Sequence, residues 1–103
     1  MAIKVIMLRH VLPGREQELN ELLLELRIRA LRRPGYVSGQ TLILTSDPSI
    51  HLVIGEWSSL EAWRDWEYHP ERLEMIERIN TLLTSPTRTE VWWDGGGAMP
   101  SVA

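Results

Sequence analysis

Apolar residues in the first ten positions fall on both faces of an extended chain. Ile3, Val5 and Met7 share one parity, while Ile6 and Leu8 lie between Lys4 and His10 on the other. Two apolar faces mark a strand covered on both sides or central in a sheet. The pattern predicts a strand over residues 3–12, ended by Pro13-Gly14. Helical spacing then takes over: Leu19, Leu22, Leu23, Leu26 and Ala30 form one stripe, so residues 15–33 read as an amphipathic helix. Leu24, Ile28 and Leu31 widen the stripe and predict contact with more than one neighbour. Glu16, Glu18 and Glu21 come early and Arg27, Arg29, Arg32 and Arg33 late, the order the helix dipole favours. Pro34-Gly35 closes the helix.

Residues 36–45 are β-prone, with Gly39 marking a bulge or a close backbone approach. Ser46-Asp47-Pro48-Ser49 is a turn, and residues 50–57 return as a second strand of a hairpin. Ser58 and Glu61 have capping-box spacing, which starts a helix near Ser59. Pro70 keeps His69 out of helical geometry, so two helices follow, over 59–68 and 70–83. The stripe of the second is Leu73, Ile76, Ile79 and Leu83. Residues 87–93 alternate as a last strand, in which Trp92 and Trp93 face opposite ways, one of them into the core. The order β-α-β-β-α-β is an α+β, ferredoxin-like split βαβ, an antiparallel sheet with helices on one face. Residues 1–94 are expected as one domain and 95–103, opening with three glycines, as a flexible tail. The other sheet face is not simply polar, so a second copy of the same sheet is its economical cover, an isologous homodimer.

Composition narrows the chemistry. The chain has no Cys, which removes disulfides, thiolate nucleophiles and thiolate metal sites. A net charge of −3 argues against nucleic acid as the main partner. No apolar run is long enough for a bilayer, and the first ten residues do not read as a signal peptide, so a cytoplasmic location is expected. Five Trp and no Phe concentrate the aromatic area in few places, three of them in Trp57, Trp63 and Trp66.

Several segments together resemble the antibiotic biosynthesis monooxygenase (ABM) domain family of the dimeric α/β-barrel superfamily. They are Val11-Leu12-Pro13-Gly14, Pro34-Gly35-Tyr36 after a long helix, the Glu56-Trp57-Ser58-Ser59-Leu60-Glu61-Ala62 junction, and Trp66. The resemblance covers about residues 3–93. It implies a dimeric α/β barrel and, in one type of member, oxidation of aromatic substrates without a cofactor: the deprotonated substrate itself reduces dioxygen. Another type degrades haem with a strand Asn, a helix Trp and a His ligand. Trp66 matches the Trp, but the Asn position falls at Met7 and the His position near Ile76 or Glu77. The resemblance therefore implies no cofactor, with haem disfavoured.

Candidate site residues follow. Trp66 either lines a cavity between helix and sheet or fills that gap as core. Asp65 and His69 are an i, i+4 pair, either a carboxylate-assisted base or a surface pair at a helix end. Trp66, His69 and Asp65 are the catalytic candidates; Trp66, Tyr68, Met7, Arg9 and His51 are the substrate-binding ones. Arg9 shares the parity of Val5 and Met7, and burial would require a partner, for which Glu56 and Glu90 are available. His10 and His51 sit on strands expected to be neighbours, yet no third ligand has metal-site spacing, and no metal is expected. The functions that fit are a cofactor-independent monooxygenase acting on a small aromatic or quinol-like molecule, a non-catalytic ligand-binding or stress-response dimer, and a haem protein lacking the usual Asn and His.

Overall fold

In the computed structural model, residues 2–95 are described, and the element order is the one the alternation predicts. Strand β1 spans Ile3–His10, helix α1 Glu16–Leu31, β2 Tyr36–Ile43, β3 Ile50–Trp57, helix α2 Leu60–Glu67, α3 Pro70–Asn80 and β4 Arg88–Trp93. The sheet runs β2-β3-β1-β4 and is antiparallel throughout. Strand β1 is central, paired along both edges with β3 and β4. Most of the expected tail, residues 96–103, lies outside the described residues.

Helices cover one face. On β3 every second residue, His51, Val53, Gly55 and Trp57, is buried on the helical side. Opposite them on β1 stand Arg9, Met7, Val5 and Ile3. Ile3, Val5, Leu19, Leu26, Trp57, Trp63, Trp66, Met75 and Ile79 make the core between the layers. The other face is bare in a single chain, which forms an open sheet rather than a closed barrel.

The two halves of the sequence signature meet. Gly35 has φ +87, and its carbonyl accepts a 2.8 Å bond from the Ser58 amide. A Cβ at Gly35 would strike the Ala62 side chain and the Ser58 hydroxyl. The α1–β2 turn is thus seated directly on the start of α2. Ser59, rather than Ser58, caps α2: its hydroxyl accepts from the Ala62 amide at 3.1 Å. His69 is extended, with ψ 133, and its Nδ1 accepts from the Glu71 amide at 3.1 Å, so the imidazole caps α3 behind Pro70.

Packing changed several expectations. Helix α3 stops at Asn80 because the next turn serves the sheet: Leu12 N–H donates to Leu82 C=O and Thr84 N–H to His10 C=O. Its buried face is Arg72, Met75 and Ile79, whereas Leu73 is exposed. Helix α1 does meet more than one neighbour, α3 and β2, but Leu24, Ile28 and Leu31 are exposed. Trp92 and Trp93 point opposite ways, yet both are more than half exposed on an edge strand, at 53% and 58%, and neither is core. His10 pairs with Ile50 and Arg9 with His51, so the two histidines lie on opposite faces of the sheet and do not converge.

Candidate functional site

A cavity of about 70 Å³ opens between the sheet and the helices. Its wall includes the aromatic rings of Trp57, Trp63, Trp66 and Tyr36 beside aliphatic Leu23, Leu26 and Val53. Trp57 stands edge-on to both Tyr36 (centroids 5.2 Å apart) and Trp63 (5.8 Å). All three tryptophans of the run therefore reach the cavity, not Trp66 alone. Trp57 comes from the end of β3, and Trp63 and Trp66 are one helical turn apart on the inner face of α2.

Three arginines complete the lining, and no carboxylate is among the residues that form it. Arg9 is 1% exposed. Its Nε donates to Thr87 Oγ1 at 3.3 Å and one terminal nitrogen approaches Met7 Sδ at 3.7 Å. Thr87 is held in turn by Asn80 Oδ1, which accepts from the Thr87 hydroxyl at 2.9 Å and its amide at 3.1 Å. The expected carboxylates are elsewhere: Glu56 faces Lys4, and Glu90 faces Arg88. Among the described residues Arg9 has no ion pair. Burial first, and the charge of Arg72 second, push its pKa down to about 10. It stays a cation at neutral pH.

Arg72 enters from the first turn of α3. Its guanidinium lies 4.9 Å from the Trp63 ring centre, and one nitrogen donates to the Glu67 carbonyl at 3.1 Å. Burial lowers its pKa, offset in part by the Glu67 charge. That carboxylate is itself engaged with Arg64 at 2.8 Å. The Trp63 indole N–H is buried with no acceptor. At the mouth, Arg27 of α1 donates to Thr41 Oγ1 of β2 at 3.1 Å, across the gap between helix and strand. Gly39 opens this mouth: a Cβ there would come within 2.5 Å of the Tyr36 hydroxyl and 3.5 Å of Arg27. Burial raises the Tyr36 pKa, with Arg27 pulling the other way.

The structure thus brings Trp66, Met7 and Arg9 together on one cavity. Asp65, His69, Tyr68 and His51 are not part of its lining. Asp65 lies over the Gly35–Ser58 contact, and Tyr68 is 64% exposed. His69 stacks beside Trp66 at 5.5 Å but spends its Nδ1 on the helix cap. His51 directs Nε2 at the Pro48 carbonyl, leaving a buried Nδ1 without a partner. Tyr36, which the sequence offers as a possible donor to a bound carbonyl or phenolate, also lines the cavity, whereas Arg72, Arg27 and Trp63 are not expected there as binding groups. Arg72 carried no sequence cue, since it lay off the apolar stripe expected of its helix. No cluster of three or more metal-ligating side chains occurs among the described residues.

Known proteins resemble this chain in sequence or in fold. A Streptomyces coelicolor protein described as the 42.8 kDa protein in the whiE locus is 27% identical over 101 residues. That alignment takes in 96% of this chain but 25% of the relative, so the chain spans about a quarter of that relative's length. SnoaB, a cofactor-independent oxygenase from Streptomyces nogalater, superposes with a TM-score of 0.83 at 16% identity, covering 96% of this chain and 98% of SnoaB. A conserved protein from Methanosarcina mazei Go1 superposes with a TM-score of 0.84 at 20% identity, covering 89% and 91% of the two chains. Residues 1–78 match the family described as antibiotic biosynthesis monooxygenase, and with most of its length inside that match the chain belongs to this family.

Proposed function

We propose that the chain is a cofactor-independent monooxygenase that oxidises a small phenol or quinol in the cavity beside Trp66, working as a homodimer. The observation that carries this reading is the wall of Trp57, Trp63, Trp66 and Tyr36 with cationic groups set into it. Family membership and the likeness to SnoaB support it. A phenolate with a free ring C–H can donate electrons to dioxygen directly. One oxygen atom enters the ring and the other leaves as water, so a phenol and dioxygen yield a quinone and water with no outside reductant. The aromatic walls hold a flat ring and exclude water. Arg9 and Arg72 favour the phenolate and the developing oxygen anion. Tyr36, its pKa raised by burial, remains protonated at the mouth as a donor. A part for His69, Asp65, Tyr68 or His51 in proton transfer would need the site to be extended beyond this wall.

Dioxygen uptake with simple quinols tests the proposal. Trp66→Ala is expected to slow uptake by about tenfold or more through loss of ring positioning; equal rates for both proteins would end the assignment of Trp66. Absence of uptake by the native protein, with ligand still bound, would favour the non-catalytic binding dimer. The haem reading has less support. No imidazole lines the cavity, and its volume is well below the roughly 300 Å³ at the lower end of cofactor sites. A Soret shift on titration with haem would reverse that judgement.

The homodimer rests on the bare sheet face, where Ile6, Leu8, Leu52 and Ile54 are only partly buried and Trp92 is exposed beside them.

A further inference from the structure

We propose that this cavity takes its ligand as an anion, a small planar aromatic acid whose carboxylate is neutralised by Arg9 and Arg72. The inference deepens the function proposed above, since it uses the same cavity, but it concerns binding and makes no use of dioxygen.

The first ground is charge. The chain as a whole carries −3, yet the cavity is lined by Arg9, Arg27 and Arg72 and by no Asp or Glu. Burial of a cation demands a counter-charge or a full set of hydrogen bonds. Arg9 has a hydroxyl and a thioether, the latter a weak acceptor. Arg72 has one carbonyl and a ring face. Neither forms an ion pair among the described residues: Glu56 and Glu90 on the neighbouring strands lie on the opposite face of the sheet, and the Glu67 carboxylate near Arg72 is engaged with Arg64. Burial first, and the nearby charge of Arg72 second, disfavour the Arg9 cation. An arriving carboxylate relieves both at once, because guanidinium groups present paired N–H donors that fit its two oxygens.

The second ground is the positioning of Arg9. The chain Asn80–Thr87–Arg9 runs from the end of α3, through the loop before β4, to the centre of the sheet. It holds a group that the fold alone does not require. The Trp63 N–H, buried without an acceptor among the described residues, is a further donor on a ring that lines the same wall.

Size and shape give the rest of the description. At about 70 Å³ the cavity is smaller than the roughly 150 Å³ that takes up benzene in an apolar core. Entry of a single ring therefore requires the cavity to widen, which breaking the exposed Arg27–Thr41 bond between α1 and β2 would allow. Once open, Arg27 adds a third cation on the entry path. A one-ring acid with its carboxylate inward and its ring against Trp57, Trp63 and Trp66 meets every feature of the wall.

The experiment compares charged and neutral ligands of one shape. Binding of 4-hydroxybenzoate and of 4-hydroxybenzamide is followed by calorimetry and by quenching of tryptophan fluorescence, on the full chain, with Arg9→Met and Arg72→Met beside the native protein. The acid is expected to bind about tenfold or more tightly than the amide. Arg9→Met should abolish that preference while leaving amide binding within about twofold. If Arg72→Met does not fold, as judged by circular dichroism, Arg72→Lys is used; it should retain part of the preference. Equal affinity of acid and amide for the native protein, no binding of either at millimolar concentration, or a preference untouched by Arg9→Met would each overturn the proposal. Its failure is separable from failure of the oxygenase reading. Acid binding without dioxygen uptake keeps the anion site and removes the oxygenase. Uptake with neutral quinols by a native protein that shows no preference for acid over amide does the reverse.

Discussion

A guanidinium held at 1% exposure with no carboxylate destabilises the fold that contains it. The lowered pKa of Arg9 corresponds to a penalty on the order of 3 kcal/mol for keeping the charge buried. Arg9→Met keeps the stem and removes the charge, and it is expected to stabilise the protein by about 1–3 kcal/mol, after allowing for the lost bond to Thr87. Urea denaturation checks this. The pH dependence has a definite sign. Below about 10 Arg9 is charged in both folded and unfolded chains, and the penalty is complete and constant. Above it the buried group loses its proton first, so the unfolded chain binds more protons and stability gains with rising pH. The gap between native protein and Arg9→Met should thus be flat near neutrality and narrow above about 10. Gly39 offers a second residue-level test. Gly39→Ala pushes a methyl against the Tyr36 hydroxyl and should cost about 1–3 kcal/mol. In a Tyr36→Phe background most of that cost should vanish, and equal costs in both backgrounds would refute the contact. From sequence, the parity of Arg9 placed it inward. Its lack of an acid could not be read, because Glu56 and Glu90 share neighbouring strands but sit on the opposite parity once the register is fixed.

Among the elements, α2 decides the site, since it carries two of the three tryptophans. Its position depends on Ser59 and on the seat offered by Gly35. Ser59→Ala removes the acceptor for the Ala62 amide and is expected to cost about 1 kcal/mol. Gly35→Ala meets both a left-handed φ and a collision with Ala62, so its cost should be larger, about 2 kcal/mol or more. Thermal unfolding of the two variants ranks them; the reverse order would mean that the turn is not seated on α2 as described. The existence and order of the elements were legible in apolar periodicity, and the break at His69 in Pro70. Less legible was the rotation of α3. Leu73 looked like its inner residue, yet the helix presents Arg72 inward because its stem packs inside and its head lies on Trp63. A stripe of leucines cannot reveal that a long cation will be preferred at one turn, since the Trp63 face that attracts it comes from another helix.

For the whole molecule, the open face of the sheet sets the assembly. A homodimer is expected by size exclusion with light scattering at micromolar concentration, and Ile54→Asp, which places a charge on that face opposite Ile6 and Gln40, should shift it to monomer. A native monomer would contradict the covered-sheet argument. The sequence by itself determined the strand and helix order, the single-layer sheet with helices on one side, and family membership, because each follows from local periodicity, turn chemistry and short motifs. Tertiary structure alone decided what the cavity contains. Side chains from β1, β3, α1, α2 and α3 reach it from positions separated by tens of residues, and whether a buried arginine meets a carboxylate there depends on register and helix rotation, which only packing fixes.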